Sequence, residues 1–225
     1  MAVALSHLVR GPANSVDIPT VVLIHGMGAR VNRASWNPVV PLLENDFQLV
    51  TVDLRGHGDS PAPGSYVICD MADDVAALMD ELDIRGAIVI GHSMGGIVAL
   101  NLALARPDLV SRLVIEDSPP PPAPEFSSQF ESVIPDNPTT YDLEQRPQIL
   151  KQLSDPSPPW LPRLAEITIP TLVIGGGESG GIDQVGLAAI ADTLPNGEFT
   201  TIDVGHNIHD THPAEFVNAV WNWLD

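Results

Sequence analysis

Short apolar runs alternate along this chain with longer segments whose apolar residues recur every three or four positions. The runs are Thr20–His25, Gln48–Asp53, Ala87–Gly91, Leu113–Asp117, Thr171–Gly175 and Glu198–Asp203, with Val3–Val9 as a candidate edge strand. Runs of this kind suit strands covered on both faces, which is the habit of parallel sheets. Between them, Met71, Val75, Leu78, Met79 and Leu82 form a helical stripe over Asp70–Leu82. Ile97–Ala105 is apolar nearly all round, as in a helix buried against a sheet. A last helix is expected from Pro213, a residue suited to the first helical position, burying Phe216, Val217, Val220, Trp221 and Leu224. The pattern predicts an α/β fold, a mostly parallel central sheet flanked by helices, in a single domain over residues 1–225.

One stretch breaks the rhythm. Residues 118–163 hold more than half of the 22 prolines, including Pro119-Pro120-Pro121-Pro122, and show little periodicity. The strand–helix alternation resumes afterwards, so the stretch is an excursion within the domain. It is expected to form a short lid with one helix around Tyr141–Leu153. It departs from the end of a strand, on the side of the sheet where the candidate chemistry lies.

That chemistry centres on Val89-Ile90-Gly91-His92-Ser93-Met94-Gly95-Gly96, where an apolar strand ends in a serine flanked by small residues before a helix begins. A G-x-S-x-G sequence between strand and helix forces the serine into a sharp turn that exposes its hydroxyl. Gly91 and Gly95 are expected there because the chain passes itself too closely for side chains. Met94 N–H, at the helix start, would point toward an oxyanion formed at Ser93. A serine hydroxyl is a weak nucleophile at neutral pH and needs a base, itself oriented by a third group. Serine, acid, histidine is the chain order for such sheets. His206, in Val204-Gly205-His206 after the last strand run, fits the base; His209 and His212 lie at or beyond the start of the last helix.

Composition narrows the setting. Twenty-nine acidic residues face ten basic ones in 225, for a net charge of −19. Nucleic acid and anionic membranes would repel such a chain, so neither is an expected partner. The single cysteine, Cys69, rules out an intrachain disulfide. No segment approaches the ~20 apolar residues of a membrane span, and the N-terminus lacks the basic and apolar regions of a signal peptide. A cytoplasmic protein is expected, with the high charge favouring a monomer.

His25-Gly26, Asp53-Leu54-Arg55-Gly56-His57-Gly58-Asp59-Ser60, Gly91-His92-Ser93-Met94-Gly95-Gly96 and Gly205-His206 together resemble the α/β-hydrolase family, from Val21 to Leu224. Many members carry their acid as G-x-x-D after the penultimate strand. Here that segment reads Gly176-Gly177-Glu178-Ser179, and a serine cannot serve. The departure resembles a branch of bacterial short-chain esterases that takes the acid from the end of the strand after the nucleophile strand. The resemblance therefore implies Asp117, with Glu178 as the alternative acid. It also implies a second oxyanion donor at Met27 N–H, and structural roles for His25, His57 and His92. Arg30 and Arg33 are candidates for pairing with a charged substrate group, and Trp36 and Trp160 for pocket walls; solvated arginines and core packing of Trp36 are the competing readings. The implied activity is a serine hydrolase cleaving short-chain carboxylic esters, with no metal or organic cofactor. Perhydrolysis as in cofactor-free haloperoxidases, carbon–carbon bond hydrolysis, thioester hydrolysis and a hydrolase-like ligand sensor are the alternatives.

Overall fold

A computed structural model of the chain describes residues 1–13, 18–28, 31–120, 142–155 and 161–225. Seven strands form one sheet: β1 (His7–Arg10), β2 (Thr20–Ile24), β3 (Gln48–Val52), β4 (Ala87–His92), β5 (Val110–Glu116), β6 (Thr171–Gly175) and β7 (Gly197–Thr201). Their spatial order is β1-β3-β2-β4-β5-β6-β7. Only β1 runs antiparallel, against β3; every other pairing is parallel. The edge strand predicted over Val3–Val9 is thus present, displaced toward His7–Arg10.

Successive side chains of a strand point to opposite faces, so an unbroken apolar run must feed two cores. Val22 and Ile24 of β2 join one core with Val89, Leu113, Ile115 and Val173. Val21 and Leu23 join the other with Ile88, Ile90, Val114, Leu172 and Ile174. The first face is covered by α2 (Ile68–Glu81), α3 (Met94–Ala105), α4 (Gln145–Ser154) and α5 (Gln184–Thr193); the second by α1 (Val40–Leu43) and α7 (Pro213–Leu224). A single turn, α6 (Ile208–Thr211), precedes α7.

Helix α5 was not anticipated. Its signal is local and modest: the Asp183 side chain caps it by accepting from Val185 N–H at 3.1 Å, ahead of the stripe Leu187, Ile190 and Ala191. Helix α3 starts three residues earlier than its apolar run, because Met94, Gly95 and Gly96 already lie in it. Of the 118–163 excursion, residues 121–141 and 156–160 lie outside the described residues; α4 matches the helix expected within it.

A candidate active site at the carboxyl end of the sheet

Ser93 sits between β4 and α3 with φ 52° and ψ −120°, a conformation few side-chain-bearing residues adopt. Two glycines make the turn possible. A Cβ on Gly91 would lie 2.3 Å from the Gly95 carbonyl oxygen, and one on Gly95 would lie 2.4 Å from that of Ile24. The strained backbone is held from β5, where the Glu116 carbonyl accepts Ser93 N–H at 2.8 Å. Met94 is the first residue of α3, so its N–H is one of those a helix leaves unsatisfied. The loop after β2 runs against the same turn: a Cβ on Gly26 would lie 3.1 Å from that of Ser93, and Met27 is the next residue of that loop.

Asp117 follows β5 and turns away from the sheet with φ 40°, so the strand expected to reach it ends at Glu116. Its fully buried carboxylate makes three contacts. Oδ1 accepts Gly176 N–H at 2.8 Å and the Gln184 amide at 3.1 Å, while Oδ2 lies 2.8 Å from His206 Nδ1. His206 reaches it because Gly205, at φ 94°, folds the loop back and donates N–H to the Gly176 carbonyl at 2.8 Å. The alternative acid, Glu178, is exposed on the short turn Glu178–Gly180. The Gly176-Gly177 segment therefore contributes a backbone donor to Asp117.

A second histidine–carboxylate pair lies beside the first, and the sequence offered only faint notice of it. Glu116 accepts from His209 through both the backbone N–H at 2.9 Å and Nδ1 at 2.8–2.9 Å. Both residues are buried. A glutamate ending an apolar strand was the available signal. His92 completes the group: its Nε2 donates to the His206 carbonyl at 3.0 Å, tying the histidine loop to the residue before Ser93. Burial, reinforced by the nearby His206 and His209, holds His92 well below the ordinary histidine pKa and keeps it neutral. His92, Glu116 and His209 each offer a potential metal-ligand atom within 4.8 Å of one another. Both Glu116 oxygens are already engaged by His209.

His25 accepts Leu54 N–H on Nε2 at 3.0 Å and gives Nδ1–H to Gly26 O at 2.7 Å. It is fully spent inside the loop, and burial lowers its pKa to about 4. His57 packs edge-on against it at 4.7 Å. Two candidate substrate-facing residues are engaged within the fold. The Arg33 guanidinium is engaged by Asp53, by Asp59 at 2.8 Å and by the Ser6 hydroxyl at 2.9 Å, so its charge is already matched within the fold. Trp36 is fully buried in the core under α7, its ring 4.1 Å from that of His209, and is a packing residue. Arg30 and Trp160 lie outside the described residues.

Among the described residues no helix is long and apolar enough to cross a membrane. The chain is 29% identical to the "Putative carbamate hydrolase RutD" of Stutzerimonas stutzeri, over 91% of this chain and 90% of that protein. A hydrolase from Pseudomonas aeruginosa PA01 superposes with a TM-score of 0.82 at 25% identity, covering 98% of this chain and 94% of that one. The enol-lactonase from Burkholderia xenovorans LB400 shares the fold at a TM-score of 0.83 and 23% identity, over 98% and 96% of the two chains. Residues 19–148 match the family model described as the alpha/beta hydrolase fold. With a strained serine between strand and helix and a carboxylate-bound histidine on the adjoining loop, this chain belongs to the α/β-hydrolase family.

Proposed function

We propose that this protein is a serine hydrolase acting on short-chain carboxylic esters, with Ser93, His206 and Asp117 as its catalytic set. The observation that carries this reading is the 2.8 Å contact from Asp117 to His206 Nδ1, which leaves Nε2 as the basic nitrogen of a histidine tied to the residue before Ser93. In the proposed sequence, Ser93 Oγ attacks the ester carbonyl carbon and His206 Nε2 takes its proton. The tetrahedral oxyanion is held by the N–H groups of Met27 and Met94. The acyl–oxygen bond then breaks, the departing oxygen takes the proton back from His206, and the acyl group stays on Ser93 Oγ. Water, deprotonated by His206, releases the acid. Asp117 fixes the histidine tautomer and stabilises the imidazolium formed in both halves.

Relatives named for carbamate and enol-lactone substrates support attack on a carbonyl bearing a heteroatom leaving group. The short excursion between β5 and β6 supports small acyl groups, since this insertion commonly builds the acyl pocket of the fold. Hydrolysis of p-nitrophenyl esters from C2 to C12 by the wild type and Ser93→Ala tests the reading. Activity peaking at C2–C4 and lost in the variant is expected. Activity surviving in Ser93→Ala overturns the nucleophile, and a maximum at C12 overturns the substrate class.

A further inference from the structure

Asp117 Oδ2 lies 2.8 Å from His206 Nδ1, and the direction of that contact depends on what holds the other carboxylate oxygen. Oδ1 takes two donors from different elements. One is Gly176 N–H at 2.8 Å, a backbone group just after β6. The other is the side-chain amide of Gln184 at 3.1 Å, from the first residue of α5. With one donor on Oδ1 the carboxylate can still turn about its Cβ–Cγ bond; a second donor from another direction fixes its plane. The Asp117 backbone adds to the need. A φ of 40° is costly for a residue with a side chain and persists only where the surroundings hold it.

The Gln184 amide is itself held in one orientation. Its Nε2 also donates to the Ile182 carbonyl at 3.0 Å, and its Oε1 accepts Gly177 N–H at 3.2 Å. A carboxylate and a carbonyl only accept, and a backbone N–H only donates, so exchanging the amide nitrogen and oxygen would break all three contacts. Room for the amide comes from Gly175, the last residue of β6, where a Cβ would lie 2.1 Å from Gln184 Oε1. The turn that follows closes on the same carboxylate: a Cβ on Gly176 or on Gly180 would lie 3.1 Å from Asp117 Oδ2. Two of the three amide contacts stay within residues 177–184, and the third reaches 67 positions back to Asp117. A side chain that only tied the turn together would need the first two alone.

We propose that Gln184 is a positioning residue for the reaction: its amide fixes the plane of the Asp117 carboxylate, and with it the direction in which Oδ2 holds the His206 imidazole. The inference rests on the serine-hydrolase reading and extends its supporting set to α5. The contacts of the amide are with Asp117 and with backbone, so its loss acts on proton transfer through His206 and not on substrate binding.

Gln184→Met keeps the length of the side chain and removes both donor and acceptor. With p-nitrophenyl butanoate, kcat should fall about tenfold or more, the weight of one hydrogen bond to a charged group, while KM stays within about twofold. Gly175→Ala displaces the amide without altering Gln184 or Asp117 and should lower kcat similarly. Because both changes break one contact, the double variant should fall no further than the lower of the two single variants. Losses that multiply in the double variant, or a Gln184→Met kcat within about twofold of the wild type, overturn the proposal. A readout without turnover separates this inference from the reading beneath it. In Gln184→Met, the ¹⁵N signal of His206 Nδ1 should move toward its position in Asp117→Asn. An unmoved signal overturns the positioning role even if kcat falls, since a general fold defect then accounts for the loss. If Ser93→Ala hydrolyses the ester as fast as the wild type, the serine-hydrolase reading fails, and the His206 signal still decides whether Gln184 orients the pair.

Discussion

Asp117 and Glu116 are neighbours at the end of β5, and each holds the Nδ1 of a histidine from the loop after β7. The pairs differ in what surrounds them. His206 keeps 14% of its side chain exposed, whereas His209 keeps 2% and is stacked beneath Trp36. Asp117 leaves the strand at positive φ and takes two further donors from Gly176 and Gln184; Glu116 stays in the strand and gives both oxygens to one residue. Chemistry at a carbonyl requires an imidazole that a substrate can reach. A histidine–carboxylate pair alone is therefore not a catalytic signature. The pair whose histidine stays partly accessible is the one the proposed mechanism uses, and the buried pair anchors the segment that follows it.

The comparison breaks or sharpens on four measurements. The largest effect is expected for Asp117→Asn, which misorients His206 and should lower kcat about 10⁴-fold in ester hydrolysis. Glu116→Gln should instead act on the fold, removing about 3 kcal/mol of unfolding free energy in urea titration because it weakens the buried hydrogen bonds that hold His209. Its kcat should fall by less than about tenfold, since the reacting groups remain in place. If the two variants exchange these signatures, the roles assigned to the two pairs are reversed.

Acid should expose the cost of the buried histidines. His25, His57 and His92 have lowered pKa values in the fold, chiefly through burial, and regain the ordinary value near 6.5 when unfolded. The unfolded chain therefore binds more protons below pH 6.5, and stability is lost as pH falls from there toward about 4, the folded value of His25. Each contributes up to about 1.4 kcal/mol per pH unit. Melting temperatures between pH 7 and 5 should fall accordingly, and His92→Gln should flatten the slope; a flat wild-type profile would contradict neutral buried imidazoles. The smallest effect belongs to Glu178→Gln. Its exposed side chain should matter by less than about twofold in kcat, and a large loss would return it to contention as the acid.

Much of this arrangement was legible in the residues. Two-sided apolar runs dictate two-sided strands, because a pleat sends neighbouring side chains to opposite faces and neither face tolerates charge. The glycines around Ser93 dictate a sharp turn, because any Cβ there meets backbone. These are local constraints, and the chain carries them in short stretches. Helix α5 was missed because its stripe is short, and Arg33 and Trp36 were candidates for the pocket because sequence does not say what a side chain will find opposite it.

Pairings across 80 residues or more are what local sequence does not decide. The family resemblance named Asp117 for His206, 89 positions away, whereas only the tertiary structure gave Glu116 to His209 over 93. Sequence alone places two carboxylates in adjacent positions and two histidines three apart, and nothing local chooses the partners. The choice follows from β5 lying between β4 and β6, which brings both carboxylates under the loop after β7. The turn at Asp117 then brings one carboxylate to His206 and leaves the other on His209.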